Sequence, residues 1–276
     1  MCSHKLRRPW SAIPSAEDVA RAARAWEAPA RALPGIDLHV DEQLELLAEI
    51  GRLGSEVELP AKPAAGWRYY HANGYYGYGD AIVLQGMLRR AEPSRIVEIG
   101  AGFSSALILD VADRFLDRPV DCTLVEPYPE NRLLRLLRPE DHARVRIVRR
   151  FLQEIDLSMF DTFQAGDIVF IDSSHVSKMG SDVNLLLFEV IPRLPVGTWV
   201  HFHDIFYPFE YPPKSTQDRR DWSEAYPLRA FLEHNDAFCI RFFFDYLRRF
   251  HATAVERALP GSTEAETTNL WLQRVS

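Results

Sequence analysis

Cysteine is scarce in this chain. Cys2, Cys122 and Cys239 are odd in number and far apart, and no CxxC pair occurs. That spacing argues against a disulfide framework and a cysteine-rich zinc site, and it fits a reducing compartment. Long apolar runs are missing too: no stretch approaches the ~20 residues that span a bilayer. The start, "MCSHKLRRPW", is basic but has no apolar segment behind it. No secretory leader is therefore expected, and the expected location is the cytoplasm. Positive charge is not in excess, with 32 Lys and Arg against 39 Asp and Glu and a formal net charge of −7. The pairs Arg89-Arg90, Arg149-Arg150 and Arg248-Arg249 are scattered, as on solvated faces. Neither nucleic acid nor a membrane is an expected partner. There is no internal repeat and no low-complexity segment.

The 276 residues are 47% hydrophobic, enough for one large α/β domain with an appendage. Residues 1–66 are Ala-rich and read as an N-terminal helical extension. Ser15 is a candidate N-cap ahead of Glu17 and Asp18, and "DEQLELLAEIGRL" puts Leu44, Leu47, Ile50 and Leu53 on one helical face. From about residue 81 the rhythm changes. Strands are expected at 95–100, 120–126, 144–148, 167–172, 197–204, 238–246 and 268–275, with helices between most of them. Such alternation predicts a doubly wound, Rossmann-like sheet. The last two strands have no obvious long helix between them, which suits an antiparallel pair.

"RIVEIGAGFSSALIL" is the most specific local signal. A strand ends in Glu98, Gly100 and Gly102 make a tight turn, and Ser104 and Ser105 open a helix. Glycines there let the backbone approach a ligand. The dinucleotide pattern GxGxxG is broken, because Ser105 replaces its third Gly. The next strand ends at Glu126, an acid placed to accept bonds from both ribose hydroxyls of a nucleotide-like ligand.

"ExGxGxSS" resembles the cofactor loop of class I S-adenosylmethionine-dependent methyltransferases. "ANGYYGYGDA", "DIVFIDSSHVSKMGSDVNLLLFEVIPRLPVGTWVHFHDIFYPFEYP", "EAYPLRAFLEHNDAFCIRFF" and "NLWLQR" are similar to the bacterial family called methyltransferase domain 24. The resemblance covers about residues 67–276. It implies a seven-stranded sheet of order 3-2-1-4-5-7-6 with an antiparallel seventh strand, and S-adenosylmethionine as cofactor. It implies that Glu98, Gly100, Gly102 and Ser104 line the methionine part and that Glu126 holds the ribose. Phe151, Leu152 or Gln153 should approach the adenine.

The fourth and fifth strands of such a sheet are neighbours, ~4.8 Å apart. Asp172 ends one and His203 and Asp204 end the other, so they can share a point beside the cofactor's methyl group. Three readings stay open. Asp172, His203 and Asp204 can ligate a divalent metal, as acids at these strand ends do in some sugar and catechol O-methyltransferases. Here His203 replaces one acid, which admits Mn²⁺, Fe²⁺ or Zn²⁺ beside Mg²⁺. Alternatively, His175 or His203 is a metal-free general base oriented by a carboxylate. The "DSSH" spacing reproduces, by resemblance, a base His following the fourth-strand Asp. In the third reading these residues only cap strand ends and helices. His201 is expected to be a satisfied core histidine. Asp80 could cap the helix that follows it.

Two aromatic stretches flank this point: "WRYYHANGYYGYGD", and a lid-like insertion at about 205–223. The expected activity is methyl transfer to a small molecule, most simply to a hydroxyl oxygen. The alternatives are a metal-dependent, hydroxylase-like enzyme on the same scaffold and a binding protein with a decayed site. A homo-oligomer through the N-terminal helices stays open.

Overall fold

The computed structural model describes residues 13–217, 220–263 and 267–276. Cys2, the basic start and part of the expected insertion fall outside the described residues. The strands are β1 (Arg95–Ile99), β2 (Asp121–Val125), β3 (Val145–Val148), β4 (Ile168–Ile171), β5 (Trp199–His203), β6 (Phe238–Phe243) and β7 (Asn269–Arg274). They form one sheet in the order β3-β2-β1-β4-β5-β7-β6. Neighbours among β1 to β5 are parallel, and β7 is antiparallel to both β5 and β6. This is the sheet that the resemblance implied. Helices cover both faces, so β4 reads "IVFI" with every position buried and no polar alternation.

The helices are α1 (Ala16–Glu27), α2 (Val40–Gly54), α3 (Tyr78–Ala91), α4 (Phe103–Phe115), α5 (Leu133–Leu136), α6 (Asp182–Leu185), α7 (Pro213–Gln217), α8 (Ala225–Leu232), α9 (Phe244–Phe250) and α10 (Ala252–Ala258). Ser15 does cap α1: its Oγ accepts from Asp18 N at 3.2 Å, and its own N donates to the Asp18 carboxylate at 2.8 Å. On α2 the buried face is Gln43, Leu46, Leu47, Ile50 and Leu53, and Leu44 sits at its rim. The Gln43 amide is fully buried. It donates to Leu38 O at 2.5 Å and accepts from Phe243 N at 2.7 Å, so α2 is tied to the edge strand β6.

Two expectations need correction. The strand expected over 238–246 stops at Phe243. The following aromatics favour a strand by type, but Asp245 accepts from Arg248 at 2.5 Å and Arg249 at 2.8 Å, three and four residues on. Those pairs support a helical turn. The connection to β7 therefore contains α9 and α10. Second, Asp80 does not cap α3, whose N-cap is Gly77. Its buried carboxylate accepts from Thr268 N at 3.1 Å and Asn269 Nδ2 at 3.2 Å, which pins the start of β7.

The connector before α3 is held by Arg68, whose side chain is 1% exposed. Its guanidinium donates to Asp110 at 2.9 Å, Asp113 at 2.8 Å and Asp141 at 2.6 Å. One cation thus joins the Tyr-rich loop to α4 and to the β2–β3 connection. In the insertion, Phe206, Tyr207, Phe209 and Tyr211 are buried. Phe206 meets Trp26 of α1 edge-on at 5.5 Å, and Tyr207 OH donates to Ala30 O at 2.6 Å. These rings staple the N-terminal helices to the sheet edge. Trp222, further along, is the ring of this stretch that reaches His175, at 4.8 Å.

Candidate active site

At the carboxyl end of β1, Gly100 has φ +83°, and a Cβ there would lie 1.9 Å from Asp172 O. Only glycine lets the β1 turn pass so close to the end of β4. The two ends are also bonded, Asp172 N donating to Ile99 O at 2.9 Å. Gly102 caps α4, with its N donating to Ser105 Oγ at 3.0 Å. Beneath the loop, Glu98 is fully buried and accepts from Ser104 Oγ and Ser105 Oγ, each at 2.5 Å. Burial pushes its carboxyl up to about 8, although both hydroxyls favour the ionised form. Glu126 accepts from Tyr128 N at 2.8 Å and Ala101 N at 3.3 Å. A cleft of about 220 Å³ opens above these groups, lined by Tyr75, Tyr76, Gly100–Ser104, Glu126, Arg132, Asp172 and Ser173. Gly100, Gly102, Ser104, Glu126 and Asp172 are thus brought together, with Glu98 as the support below. Gln153 stands apart, donating to Gly180 O at 2.9 Å. Phe151 is 47% exposed and meets Tyr128 edge-on at 5.8 Å, while Leu152 is buried.

Asp172 also borders a second group. Ligand atoms of Asp172, His203 and Asp204 lie within 4.8 Å of one another. The donor set, two carboxylates and one imidazole, fits a divalent cation. His203 is 5% exposed, and its Nδ1 has no hydrogen-bond partner among the described residues. His175 Nε2 lies 3.2 Å from Asp172 Oδ1 and 3.8 Å from Asp204 Oδ2. His175 Nδ1 lies 2.9 Å from Glu224 Oε2. Burial works against charge at both histidines. At His175, hydrogen bonds to Asp172 and Glu224 outweigh it and push the imidazole well above its ordinary range. At His203 the nearby Asp204, Asp172 and Asp80 raise it. Burial alone would raise Asp172, but the facing His203 and the bonded His175 hold it down at about 2. Asp204 accepts from Thr268 Oγ1 at 2.9 Å.

His201 is in the core, as expected, but it is not satisfied. Its ring stacks on Phe170 at 4.0 Å, and neither nitrogen has a hydrogen-bond partner among the described residues. Burial, with His203 nearby, drives it well below its ordinary value, so it stays neutral. Sequence reasoning missed Glu224, which is fully buried against His175 from the start of α8, and Arg132, whose guanidinium lies 3.6 Å over the Tyr75 ring at the cleft. Glu224 sits 49 residues after His175, beyond any local spacing rule.

Residues 97–205 match a family model described as a methyltransferase domain. The likeness to a methyltransferase domain thus extends over about two fifths of the chain. An uncharacterised protein of Archaeoglobus fulgidus is 35% identical over 132 residues, which are 47% of this chain. The chain spans 59% of the length of that relative. Among solved structures, SAH-bound PaMTH1, a methyltransferase of Podospora anserina, is similar at 13% identity with a TM-score of 0.48, covering 96% of this chain and 99% of that one. The O-methyltransferase TomG of Streptomyces achromogenes, solved with SAM, is similar at 14% identity with a TM-score of 0.45, covering 84% and 90%. Likeness this distant says nothing of substrate or mechanism. The matched segment runs from β1 to just past Asp204, so it contains the Gly loop and all of the cluster except Glu224.

Proposed function

We propose that the protein methylates a hydroxyl oxygen of a small molecule, with S-adenosylmethionine in the 220 Å³ cleft and a divalent cation on Asp172, His203 and Asp204. One observation carries this reading: Asp172 lines the cleft and also belongs to the cation-competent cluster. Acceptor activation and methyl donor would then meet at one strand end.

The cofactor, when bound, supplies an already activated methyl. A divalent cation would lower the acceptor hydroxyl's pKa and orient it. The protein's own residues do the rest. The Gly100 turn admits the ligand's backbone-side approach, Glu126 takes the ribose hydroxyls, and the exposed Tyr128–Phe151 pair offers a platform to the adenine. Trp222 and Tyr76 exclude water. Hydrogen bonds to Asp172 and Glu224 push His175 well above its ordinary range, which favours the imidazolium, and an imidazolium cannot accept a proton. A cation held by Asp172 and Asp204 would offset their charge and weaken that support. Glu224 bonds His175 at Nδ1, so Nε2 is the nitrogen that would serve as the base.

Calorimetry with S-adenosylmethionine and a metal-dependence assay test the reading. Binding below millimolar, lost in Glu126→Ala, and activity lost on chelation and restored by Mg²⁺ or Mn²⁺ are expected. Absence of binding would refute methyl transfer. Full activity after chelation, abolished by His175→Ala, would replace the cation with base catalysis alone.

A further inference from the structure

A second group of metal-ligating side chains lies at the far end of the sheet from the cleft, where β6 begins. The segment ahead of α2 docks there: His234 N donates to Gly35 O at 2.7 Å, just before β6. This brings "DLHVDE" (37–42) against Cys239, the second residue of β6. Ligand atoms of His39, Glu42 and Cys239 all lie within 4.8 Å of one another. They border a cavity of about 360 Å³ whose lining also includes Asp37, Asp236 and Arg241.

The spacings argue for an ion rather than for hydrogen bonds. His39 Nδ1 lies 3.7 Å from Asp37 Oδ2 and 3.9 Å from Glu42 Oε1. Both are too long for a hydrogen bond. Tetrahedral bonds of about 2.0–2.3 Å place neighbouring donors about 3.3–3.6 Å apart, so a few tenths of an ångström of closure suffice there. Each carboxylate has its other oxygen fixed elsewhere. Asp37 Oδ1 accepts from His39 N at 2.9 Å, and Glu42 Oε2 accepts from Arg241 at 2.5 Å. That leaves Asp37 Oδ2 and Glu42 Oε1 free for the group. Cys239 is 7% exposed, and among the described residues its thiol makes one long hydrogen-bond contact, 3.8 Å to Ile240 O. Thiolate, imidazole and carboxylate together are a borderline-soft set, suited to Zn²⁺ and poorly suited to Mg²⁺ or Ca²⁺. A thiolate and one carboxylate cancel the ion's charge, and Arg241 backs Glu42.

We propose that His39, Glu42 and Cys239 form a zinc site, with the fourth position taken by water or Asp37, that clamps the entry to α2 onto β6. This site is independent of the catalytic cluster, which contains no sulfur.

The test is Co²⁺ titration of the full-length, chelator-stripped protein, followed optically. A near-ultraviolet thiolate-to-cobalt charge-transfer band saturating at one equivalent is expected, with displacement by Zn²⁺. The band should vanish in Cys239→Ser, and its midpoint should weaken at least about tenfold in His39→Ala. Zn²⁺ should raise the melting temperature of the wild type by more than that of Cys239→Ser, which keeps the cation-competent cluster at Asp172, His203 and Asp204. Glu42→Gln, at a half-exposed position, gives a second variant if Cys239→Ser fails to fold, and it should also weaken the midpoint. No thiolate band with 100 µM-scale Co²⁺ (roughly tenfold over protein), or a band unchanged in Cys239→Ser or in both His39→Ala and Glu42→Gln, would overturn the proposal.

Discussion

Gly100→Ala should damage both stability and cofactor binding, and the structure sets the size of each effect. At φ +83° an L side chain costs about 1–2 kcal/mol. The added Cβ would also sit 1.9 Å from Asp172 O, against an ordinary carbon–oxygen approach of about 3.3–3.6 Å. Relieving that overlap means moving the loop or the end of β4 by more than about 1 Å, and overpacking of this kind costs about 1–3 kcal/mol. Together they predict about 2–5 kcal/mol, or a melting temperature lower by roughly 4–20 °C. Because Asp172 itself is what moves, S-adenosylmethionine affinity should fall by more than about tenfold, given that a 1 Å misplacement can cost about a hundredfold in rate. Gly74→Ala is the matched control. Its φ is +78°, but nothing among the described residues lies within 4 Å of the position a Cβ would take, so it carries the backbone cost alone. Thermal melts and calorimetry on both variants separate the two terms. If Gly100→Ala melts within about 2 °C of Gly74→Ala and binds the cofactor as tightly as the wild type, the close contact is not what positions Asp172.

Arg68→Met removes the buried cation shared by Asp110 and Asp141, leaving them Arg138 at 3.8 Å and Arg144 at 3.1 Å, and should cost about 3 kcal/mol by urea unfolding at neutral pH. Burial opposes ionisation at Asp113 and Asp141, yet Arg144 and Arg68 hold Asp113, and Arg68 holds Asp141, below the ordinary value of 3.8. That stabilisation is present above 3.8 and lost as pH falls through the lower folded value, so the gap between variant and wild type should narrow in acid. Glu98 carries the opposite sign: its carboxyl rises from 4.5 to about 8 on burial, so the folded state holds a proton that the unfolded chain releases. Wild-type stability should therefore decline between those two values as pH rises, and Glu98→Gln should show a flatter profile in melts from pH 5 to pH 9, within roughly that window. A Glu98→Gln profile parallel to the wild type would refute the raised value.

The elements that local pattern encodes were readable in the chain. β1, β2, β4 and β5 are short apolar runs with polar residues at their carboxyl ends, and an apolar run buried on both faces has one plausible place, the middle of a sheet. The Gly100 turn was readable because a left-handed residue at a close approach demands glycine. The edge was harder. "FFFDYLRRF" is aromatic enough to read as strand, and only the spacing of Asp245 to Arg248 and Arg249 favours a helix there. The insertion at 205–223 was ambiguous for a related reason: aromatics and prolines look alike whether they face a ligand or a neighbouring helix.

By itself, then, the sequence determined the alternation of strand and helix and the glycine loop, while the meeting of Asp172 with His203 and Asp204 at adjacent strand ends was implied by the resemblance to a known sheet order. Periodicity and residue type act over a few residues, and those features are that short. Only the tertiary structure decided that Glu224 meets His175 Nδ1, that Arg68 gathers three carboxylates, that Phe206 and Tyr207 pack against α1 and the segment after it, and that Cys239 meets His39 and Glu42. Each of these joins residues tens to hundreds of positions apart. Their pairing is set by which helix covers which face of the sheet, and no local spacing records that.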